Sequence, residues 1–470
     1  MRPPKRLLDV LVEMADDGPF TSILATTFTF EPEFFVHSGV LPALAGELDR
    51  TRATGDERRR RVDAEVVRDR LGNPYVAVLQ GFPTRSGATP GWIDRLAWNT
   101  RRHGVLHAKC LVAVGPERVN VIVTSANLTE GSWCQNLEVA VSWSAPRNPT
   151  TAGARRPAEA AAQVVAGIVS LARLVKATSL IDEASKLHDE LTSSADPAPV
   201  VVWSGKTLPG HPLEYLARGD EAVVISPFWN DDDNSASTVT AALKGLAPTV
   251  TLAGRKSSNG SGVELPGALG LAAQGAGFKL STSSEPDAAN VEDSSLSIRR
   301  LHAKQIAVRS GSAWRSYVGS ANATLQGLAL GSGPNVELGV IVDIPPLVRR
   351  DPTVTSVDPH GLSDPEDPAA LRDDEAGWPS FYGRAVLAED GNLVLHIDPA
   401  PDAGAKVEIP TGAESRPLIR KADQVLHLEG AHVARLVNRA EITIVTAEDV
   451  RLAVPVVLDD ALKRLSLIHI

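Results

Sequence analysis

The chain has 470 residues, enough for about three domains of ordinary size. Hydrophobic residues make up 43% and charged residues 22% of it, which is typical of a soluble globular protein. The formal net charge of −10 argues against a surface that is basic overall, and so against bulk wrapping of nucleic acid, although a local basic groove stays possible.

Cysteine usage and hydropathy narrow the class further. The two cysteines, Cys110 and Cys134, are too few for a disulfide framework or a cysteine zinc site, and we expect buried thiols. No apolar run approaches the ~20 residues that span a bilayer. The first 17 residues also lack a signal-peptide core. We therefore expect a cytoplasmic protein without a membrane partner.

The first half of the chain predicts strands that alternate with helices. Segments rich in apolar and β-branched residues predict strands at residues 22–30, 75–80, 105–114, 119–124 and 138–143. Pro32 opens a predicted helix after the first strand. The basic run at residues 57–61 is predicted to be a solvated helix face or loop, with a phosphate-binding patch as the alternative.

A long helical pattern follows, and then the order of elements recurs. Apolar residues spaced by three or four predict one helix from Pro157 through Leu191, stopped by the Asp-Pro pair at residues 196–197. Strands are predicted next at residues 223–226, 249–252, 302–308, 314–318 and 337–342, whereas residues 281–295 look polar and exposed. The recurrence predicts two similar α/β units in one chain.

Composition changes beyond Pro345. Residues 351–375 are rich in Pro and Asp and predict a linker or long loop. Strand-like segments at residues 384–387, 392–397, 406–409, 441–445 and 451–458 predict a small β-rich domain. The chain ends without a recognisable stop signal, so we expect that the natural protein is longer or that this end is not native.

These patterns together predict an α/β protein made of two tandem α/β/α sandwich repeats and a C-terminal β-rich domain. The predicted boundaries are 1–178 for the first unit, 179–200 for a helical connector, 201–345 for the second unit, 346–380 for the linker and 381–470 for the β-rich domain. We expect a monomer that contains an internal pseudo-dimer rather than an obligate oligomer.

Two short motifs are versions of one another. His107 and Lys109 lie in a Leu-His-Ala-Lys run, and a Thr-Ser-Ala-Asn run with Ser125 and Asn127 follows. An offset of 195 residues leads to a second set. The second set consists of His302, Lys304, Ser320 and Asn322. A glutamate follows each copy, Glu138 after the first and Glu337 after the second. The sequence therefore predicts two half-sites, each with a histidine, a lysine, an asparagine and a carboxylate.

These residue types suit chemistry at a phosphate. On a strand, residues two apart point to the same face, so the histidine and lysine of each copy are predicted to project together. An imidazole can attack or donate a proton near neutral pH, and an ammonium group beside it can hold an anionic oxygen. A glutamate that accepts an imidazole N–H would fix the tautomer, but nothing in the sequence decides which glutamate serves which histidine.

Two plainer interpretations compete with this one. A lone His-x-Lys on a strand is usually structural, and two repeats could keep it for packing. Burying both side chains has a desolvation cost, however, and packing gives no reason to incur that cost twice. A metal site is the chemical alternative, but each half offers one histidine and one carboxylate beside a repelling lysine. We expect neither a metal nor another cofactor.

At these residues the sequence resembles the phospholipase D superfamily, whose members carry two His-x-Lys motifs, each followed by a Gly-Ser-x-Asn-like turn. Residues 319–322 match that turn, and residues 124–127 are a one-residue variant. Many members place an aspartate five residues after the lysine, where this chain has Val114 and Arg309. The tyrosyl-DNA phosphodiesterase branch also lacks that aspartate, and the run from Leu106 to Trp133 is similar to its first motif.

What the resemblance implies is a pair of phospholipase D-like domains related by pseudo-twofold symmetry, with the cleft between them. It also implies a metal-independent phosphodiesterase with a covalent phosphohistidine intermediate. His107 would be the nucleophile, and His302 the acid that protonates the leaving oxygen and then the base that activates water. The lysines and asparagines would hold the non-bridging oxygens. Further substrate contacts are predicted for Ser125, Ser320, Arg101, Arg102, Arg299 and Arg300.

Three functions from different classes are then in question. The first is a phosphodiesterase or nuclease that acts on nucleic acid, with DNA as the favoured substrate, in DNA repair or in restriction of foreign DNA. It could remove a tyrosyl or peptide adduct from a 3′ end. The second is a phospholipase or lipid transferase, for which the sequence offers no amphipathic anchor. The third is a non-catalytic DNA-binding module of the same fold.

Overall fold

The computed structural model describes residues 6–47, 57–82, 89–98, 103–192, 201–257, 262–284 and 301–347, and beyond them only short strands. Within these residues the helices are α1 (Leu7–Met14), α2 (Val40–Leu44), α3 (Glu57–Arg70), α4 (Ala152–Leu174), α5 (Thr178–Leu191), α6 (Asp233–Lys244) and α7 (Gly267–Gly275). The basic run at 57–61 forms the start of α3, which agrees with the prediction of a helix or loop there. The side chains of this run lie outside the described part of the chain. No described helix is long and apolar enough to cross a bilayer.

The first sheet has six strands: β1 (Ser22–Thr29), β2 (Tyr75–Phe82), β3 (Ile93–Ala97), β4 (Cys110–Val114), β5 (Arg118–Thr124) and β6 (Ala140–Pro146). Their order is β3-β2-β1-β4-β5-β6. The first three are parallel, and β4, β5 and β6 form an antiparallel meander beside them. Because the sheet is covered on both faces, β1 and β4 are buried at nearly every residue, and neither strand alternates apolar with charged residues.

The second sheet comprises β7 (Val201–Gly205), β8 (Leu208–Pro209), β9 (Glu221–Ile225), β10 (Thr249–Lys256), β11 (Val263–Glu264), β12 (Lys279–Ser284), β13 (Gln305–Ser310), β14 (Ala313–Gly319), β15 (Glu337–Val342), β16 (Arg349–Arg350) and β17 (Val357–Asp358). Its central order, β12-β10-β9-β13-β14-β15, follows that of the first sheet with the same strand directions. The predicted α/β class is therefore confirmed, with two mixed sheets.

The connecting helices join the two sheets in one apolar core. Val164 and Ile168 of α4 belong to the same buried cluster as Val121 of β5 and Leu338 of β15. The helices also correct a prediction, because one helix was expected from Pro157 through Leu191. The structure has two, since Lys176 adopts a left-handed conformation with φ of 54° and ends the first.

Several strands were not predicted, and buried polar residues explain two of these cases, β3 and β12. On β3, Asp94 accepts a bond from the Tyr75 hydroxyl at 2.8 Å and Arg95 donates to the side chain of Gln80 at 3.1 Å, so a buried strand has a charged sequence. The expectation of an exposed stretch at 281–295 is wrong at its start, where Ser281 is buried on β12; residues 285–295 lie outside the described part. Strand β7 was also missed.

The last described strands form a third sheet. They are β18 (Tyr382–Leu387), β19 (Asn392–Asp398), β20 (Lys406–Glu408), β21 (Ser415–Pro417), β22 (Gln424–His427), β23 (Glu441–Val445) and β24 (Arg451–Leu458). The five predicted segments of this region are strands. In the predicted linker, β16 pairs with β12 and β17 with β11, and the rest of that segment lies outside the description.

The expectation of two buried thiols is half right. Cys110 is buried on β4, but Cys134 is exposed on the turn Gly131–Gln135, so the prediction for Cys134 is wrong. Cys134 is close to the first motif in sequence but is not buried with it, because the turn that carries Cys134 follows the motif and exposes this residue at the surface.

Candidate active site

The two His-x-Lys segments lie just before strands rather than in them. Strand β4 begins at Cys110 and β13 at Gln305, so the predicted strands over 105–114 and 302–308 begin too early. The reason is that the backbone of each segment pairs with the other half of the molecule. The His107 N–H donates to the Val336 carbonyl at 2.8 Å, and the His302 N–H donates to the Leu137 carbonyl at 2.9 Å.

This crossing exchanges the glutamates between the halves. Val336 and Leu137 immediately precede Glu337 and Glu138, so the same backbone pairing that receives each histidine also delivers a carboxylate. His107 Nδ1 lies 3.0 and 2.9 Å from the two carboxylate oxygens of Glu337. His302 Nδ1 lies 2.6 Å from Glu138 Oε1. Each histidine is thus served by the glutamate of the other half, which decides a pairing that the sequence left open.

The environment keeps both imidazoles neutral. Burial and, to a smaller extent, the ammonium groups of both lysines lower the pKa of His107 to about 4, against the opposing effect of Glu337. The pKa of His302 is lowered for the same reasons, with burial first and Glu138 opposing. A carboxylate only accepts hydrogen bonds, so each Nδ1 carries the proton and each Nε2 keeps its lone pair.

Both carboxylates are held in the ionised form. Burial acts to raise the pKa of Glu337, but His107, Lys109 and the Ser320 hydroxyl outweigh it and the pKa is lowered. Burial is outweighed in the same way at Glu138, whose pKa is also lowered. The Ser320 hydroxyl donates to Glu337 at 2.5 Å, and the hydroxyl of Ser125 donates to Glu138. The sequence did not predict these bonds; contact between the two serines and a substrate stays a prediction.

The two lysines are buried beside the histidines. Lys109 Nζ donates to the His107 carbonyl and Lys304 Nζ to the His302 carbonyl, each at 2.7 Å. Lys304 Nζ also lies 3.2 Å from His302 Nε2. An ammonium group is costly to bury, and here the ionised glutamates offset that cost. Since each lysine also acts on the pKa of the opposite histidine, the two half-sites form one electrostatic unit.

The asparagines complete each half-site from the turns after β5 and β14. Asn127 Oδ1 accepts the Thr29 N–H at 3.4 Å. Asn322 is buried, and its Oδ1 has no hydrogen-bond partner in the described part of the chain. A buried amide oxygen without a partner is uncommon in folded proteins, and a bound ligand is one way to satisfy it.

Aromatic and arginine side chains around the histidines were missed by the sequence analysis. Phe28 lies 5.7 Å from the ring of His107, and Phe228 lies edge-on to His302 at 5.8 Å. The Arg255 guanidinium stacks on Phe228 at 5.1 Å, and its Nε donates to the Leu301 carbonyl at 3.1 Å. Arg255 lies next to the last residue of β10, and this basic residue at the end of an apolar strand was the one signal in the sequence that could have indicated its place in the site. The predicted flanking arginines, Arg101, Arg102, Arg299 and Arg300, lie outside the described residues.

Metal ligation was the remaining chemical alternative. In the part of the chain that the structure describes, no group of three or more His, Cys, Asp or Glu side chains could hold a metal ion. The carboxylates of Glu138 and Glu337 each accept a hydrogen bond from an imidazole N–H instead.

The comparisons with known proteins are limited to structure. No family model and no curated protein matches the chain. The chain is similar to the crystal structure of yeast tyrosyl-DNA phosphodiesterase, with 10% identity over 69% of this chain and 84% of that one and a TM-score of 0.41. One mutant form of the yeast enzyme is 11% identical over 71% of this chain and 86% of that one, with a TM-score of 0.40. A second mutant form is 10% identical over 70% of this chain and 84% of that one, with a TM-score of 0.39.

These structures are of a tyrosyl-DNA phosphodiesterase, the kind of enzyme whose first motif the run from Leu106 to Trp133 resembles. A likeness with TM-scores near 0.4 leaves the activity to be decided by the chemistry of the site itself.

Proposed function

We propose that the chain is a metal-independent phosphodiesterase or nuclease that acts on nucleic-acid phosphodiesters, with DNA ends or 3′ adducts as the favoured substrates. The observation that carries this proposal is the exchanged pairing of two buried histidines with two ionised glutamates, His107 with Glu337 and His302 with Glu138. Two groups able to attack or carry a proton, beside buried cations, are what displacement at a phosphate needs.

In the first step, His107 Nε2 attacks the phosphorus. A P–N bond forms, and the bond from phosphorus to the leaving oxygen breaks as His302, which has taken up a proton at Nε2 when the substrate bound, gives that oxygen the proton. In the second step His302 removes a proton from water, the resulting hydroxide attacks phosphorus, and the P–N bond breaks. His107 is then neutral again, and His302 again carries a proton at Nε2, which it loses when the product leaves. Lys109, Lys304 and Asn322 hold the non-bridging oxygens in this scheme.

The charge of the site supports such a role for His302. With both imidazoles neutral, the two lysines and the two glutamates balance one another. A diester brings one negative charge into this buried site, and a nearby negative charge raises the pKa of an imidazole. Substrate binding therefore favours uptake of one proton, which is the proton that the first step requires.

Matching hydrogen bonds support a duplicated fold, which is part of the proposal. The Leu128 N–H donates to Thr27 Oγ1 at 3.0 Å in the first half, and the Ala323 N–H donates to Ser226 Oγ at 3.1 Å at the corresponding place in the second. We propose two phospholipase D-like repeats with the predicted boundaries, a separate β-rich domain at 381–470, and a monomeric cytoplasmic protein.

The test is a cleavage screen in excess EDTA. End-labelled single-stranded DNA, double-stranded DNA, RNA and 3′-tyrosyl oligonucleotides are compared, with phospholipid vesicles as the lipid control. We expect cleavage of at least one oligonucleotide, loss of at least about 1,000-fold in His107→Ala, and no change in His188→Ala, whose histidine is partly exposed on α5.

A labelled phosphohistidine, trapped in alkaline denaturant, should form in the parent and be absent in His107→Ala. Cleavage that EDTA abolishes would reject the metal-independent mechanism, and full activity in His107→Ala would reject the nucleophile. Cleavage of lipid alone would favour the lipid class. Binding of DNA without cleavage of any substrate would favour the non-catalytic module.

A further inference from the structure

The two carboxylates of the site are not held equally. Glu337 accepts hydrogen bonds from three side chains: His107, Ser320 and Asn335, whose Nδ2 lies 3.3 Å from Glu337 Oε1. Among the described residues, Glu138 accepts side-chain bonds from His302 and Ser125. The additional donor at Glu337 is Asn335, which the sequence analysis did not single out.

The first half has an asparagine at the corresponding place, but it does not perform this task. Asn136 and Asn335 each stand two residues before the glutamate of their half. Each also uses its backbone N–H in a loop, to the Gly131 carbonyl at 2.9 Å and to the Gln326 carbonyl at 3.1 Å. Asn335 is 5% exposed, whereas the side chain of Asn136 is half-buried and has no described bond to Glu138.

The orientation of the Asn335 amide is decided by the carboxylate. An ionised carboxylate accepts and never donates, so the NH2 group of Asn335 must face Glu337 and the amide oxygen must point away. That oxygen is buried and has no hydrogen-bond partner in the described part of the chain. An asparagine kept only for packing would be expected to satisfy its oxygen as well. The arrangement therefore favours a role at Glu337.

We propose that Asn335 is a positioning residue that fixes the carboxylate of Glu337 against the Nδ1–H of His107. By holding Oε1, it keeps both oxygens of Glu337 in reach of that proton, at 3.0 and 2.9 Å. At the other pair, one oxygen of Glu138 serves His302. The imidazole of His107 is thereby held more rigidly, with its Nε2 in one orientation. The catalytic consequence of this inference rests on the proposed function.

The first experiment does not depend on activity. Histidine side chains labelled with ¹⁵N are followed by NMR in the parent, in Asn335→Ala and in Asn136→Ala as the matched control. Loss of the Asn335 donor leaves the carboxylate of Glu337 free to rotate away from the Nδ1–H of His107. We therefore expect the Nδ1-protonated tautomer of His107 to become mixed and its pKa to fall, because the carboxylate that opposes the effect of burial is then less well placed. His302 should titrate as in the parent, and Asn136→Ala should change neither histidine.

The second experiment measures turnover on whichever oligonucleotide the parent cleaves. We expect kcat of Asn335→Ala to fall about tenfold, the lower end of what a hydrogen bond to a charged group is worth, with KM within about twofold. Asn335→Asp keeps the size of the side chain but brings a second carboxylate to Glu337, and should be slower still. Asn335→Ser serves as the small polar variant if the alanine variant does not fold.

An unchanged His107 titration and tautomer in a folded Asn335→Ala or Asn335→Ser variant would overturn the inference, as would an Asn335→Asp variant with parental kcat. If the parent cleaves no phosphodiester, the proposed function fails, while the NMR comparison still decides whether Asn335 positions the Glu337–His107 pair.

Discussion

The first and second sheets set equivalent strands in the same order, but the strands end in different side chains. The pairing registers place Gly81 of β2 and Arg255 of β10 at corresponding positions. A Cβ on Gly81 would lie 2.2 Å from the carbonyl oxygen of Leu106, the residue before His107. In the second half, Arg255 donates to the carbonyl of Leu301, the residue before His302. The first half therefore has a glycine in close contact with the backbone before its histidine, whereas the second half has the buried cation of Arg255 at the corresponding place.

A second difference follows the lysines. Cys110 comes after Lys109 and contacts Thr26, with Sγ and Oγ1 3.3 Å apart. Gln305 comes after Lys304; it donates to the Ser316 hydroxyl at 3.1 Å and accepts the Leu347 N–H at 2.8 Å. The histidine, lysine, serine, asparagine and glutamate are therefore common to both halves, while the residues that support them are not. Equivalent substitutions in the two halves should have unequal effects.

The largest effects are expected at the glutamates. Glu337→Gln and Glu138→Gln keep the size of the side chain but remove the charge that fixes the tautomer of the paired histidine. We expect kcat to fall at least about 100-fold in each, by analogy with removal of the carboxylate in a serine-protease triad. Pre-steady-state measurement of the trapped phosphohistidine should show that Glu337→Gln slows its formation on every substrate.

The two variants should separate when the leaving group is changed. The 4-nitrophenolate group of a 4-nitrophenyl diester leaves with little need of a proton, so His302 is less needed as an acid on that substrate. Glu138→Gln should therefore recover much of its rate of phosphohistidine formation. Glu337→Gln should not recover. Equal recovery of both variants would contradict the assignment of His107 as nucleophile and His302 as acid.

Much of this site could be predicted from the sequence, because the repeat carries it. His107 and His302, with their lysines, could be found from an offset of 195 residues. The exchange of glutamates could not, since it depends on which backbone segments pair across the halves, through Leu106 with Val336 and Leu137 with Leu301. Hydrophobic periodicity describes one segment at a time and contains no term for such long-range pairing.

The strands were predicted where apolar and β-branched residues dominate a segment, as on β1 and β15. They were missed where buried polar residues satisfy one another, as Asp94 does with Tyr75 on β3. A charged residue in a strand indicates solvent unless its partner is known, and that partner lies on another strand. Asn335 was missed for a similar reason, because its task is visible only with Glu337 in place.

The pH dependence of stability should reveal the neutral histidines. Burial lowers the pKa of His107 from 6.5 to about 4 in the folded chain. In the unfolded chain the imidazole takes up its proton near pH 6.5, so between that pH and about 4 the unfolded state binds more protons and stability falls as the pH is lowered. The full effect for one histidine is about 3 kcal/mol.

Urea unfolding at intervals from about pH 7.5 to 5.5 measures this slope above the range in which the glutamates of the unfolded chain titrate. His107→Gln should flatten the slope relative to the parent, and His302→Gln should do so in the same direction, because the pKa of His302 is also lowered. A parental slope in both variants would show that the imidazoles are not held neutral in the folded protein.

The smallest expected effect tests the difference between Gly81 and Arg255. In Gly81→Ala the new methyl group meets the Leu106 carbonyl, which is backbone and cannot rotate away, so we expect a loss of about 1–3 kcal/mol in the free energy of unfolding. Because Leu106 precedes His107, the first step of catalysis should slow as well. The control is Gly275→Ala on α7, where a Cβ has open space and alanine favours the helix.

Arg255→Gly is the reciprocal change, because it gives the second half the residue of the first. It removes the bond to the Leu301 carbonyl and the stacking on Phe228, each worth about 1 kcal/mol, but it introduces no clash. Denaturant unfolding should therefore show losses of similar size in Gly81→Ala and Arg255→Gly, although Gly81→Ala adds a single methyl group. If Gly81→Ala were neutral, the close approach of backbone at the first histidine would have no energetic weight, and the two halves would be supported more alike than their contacts indicate.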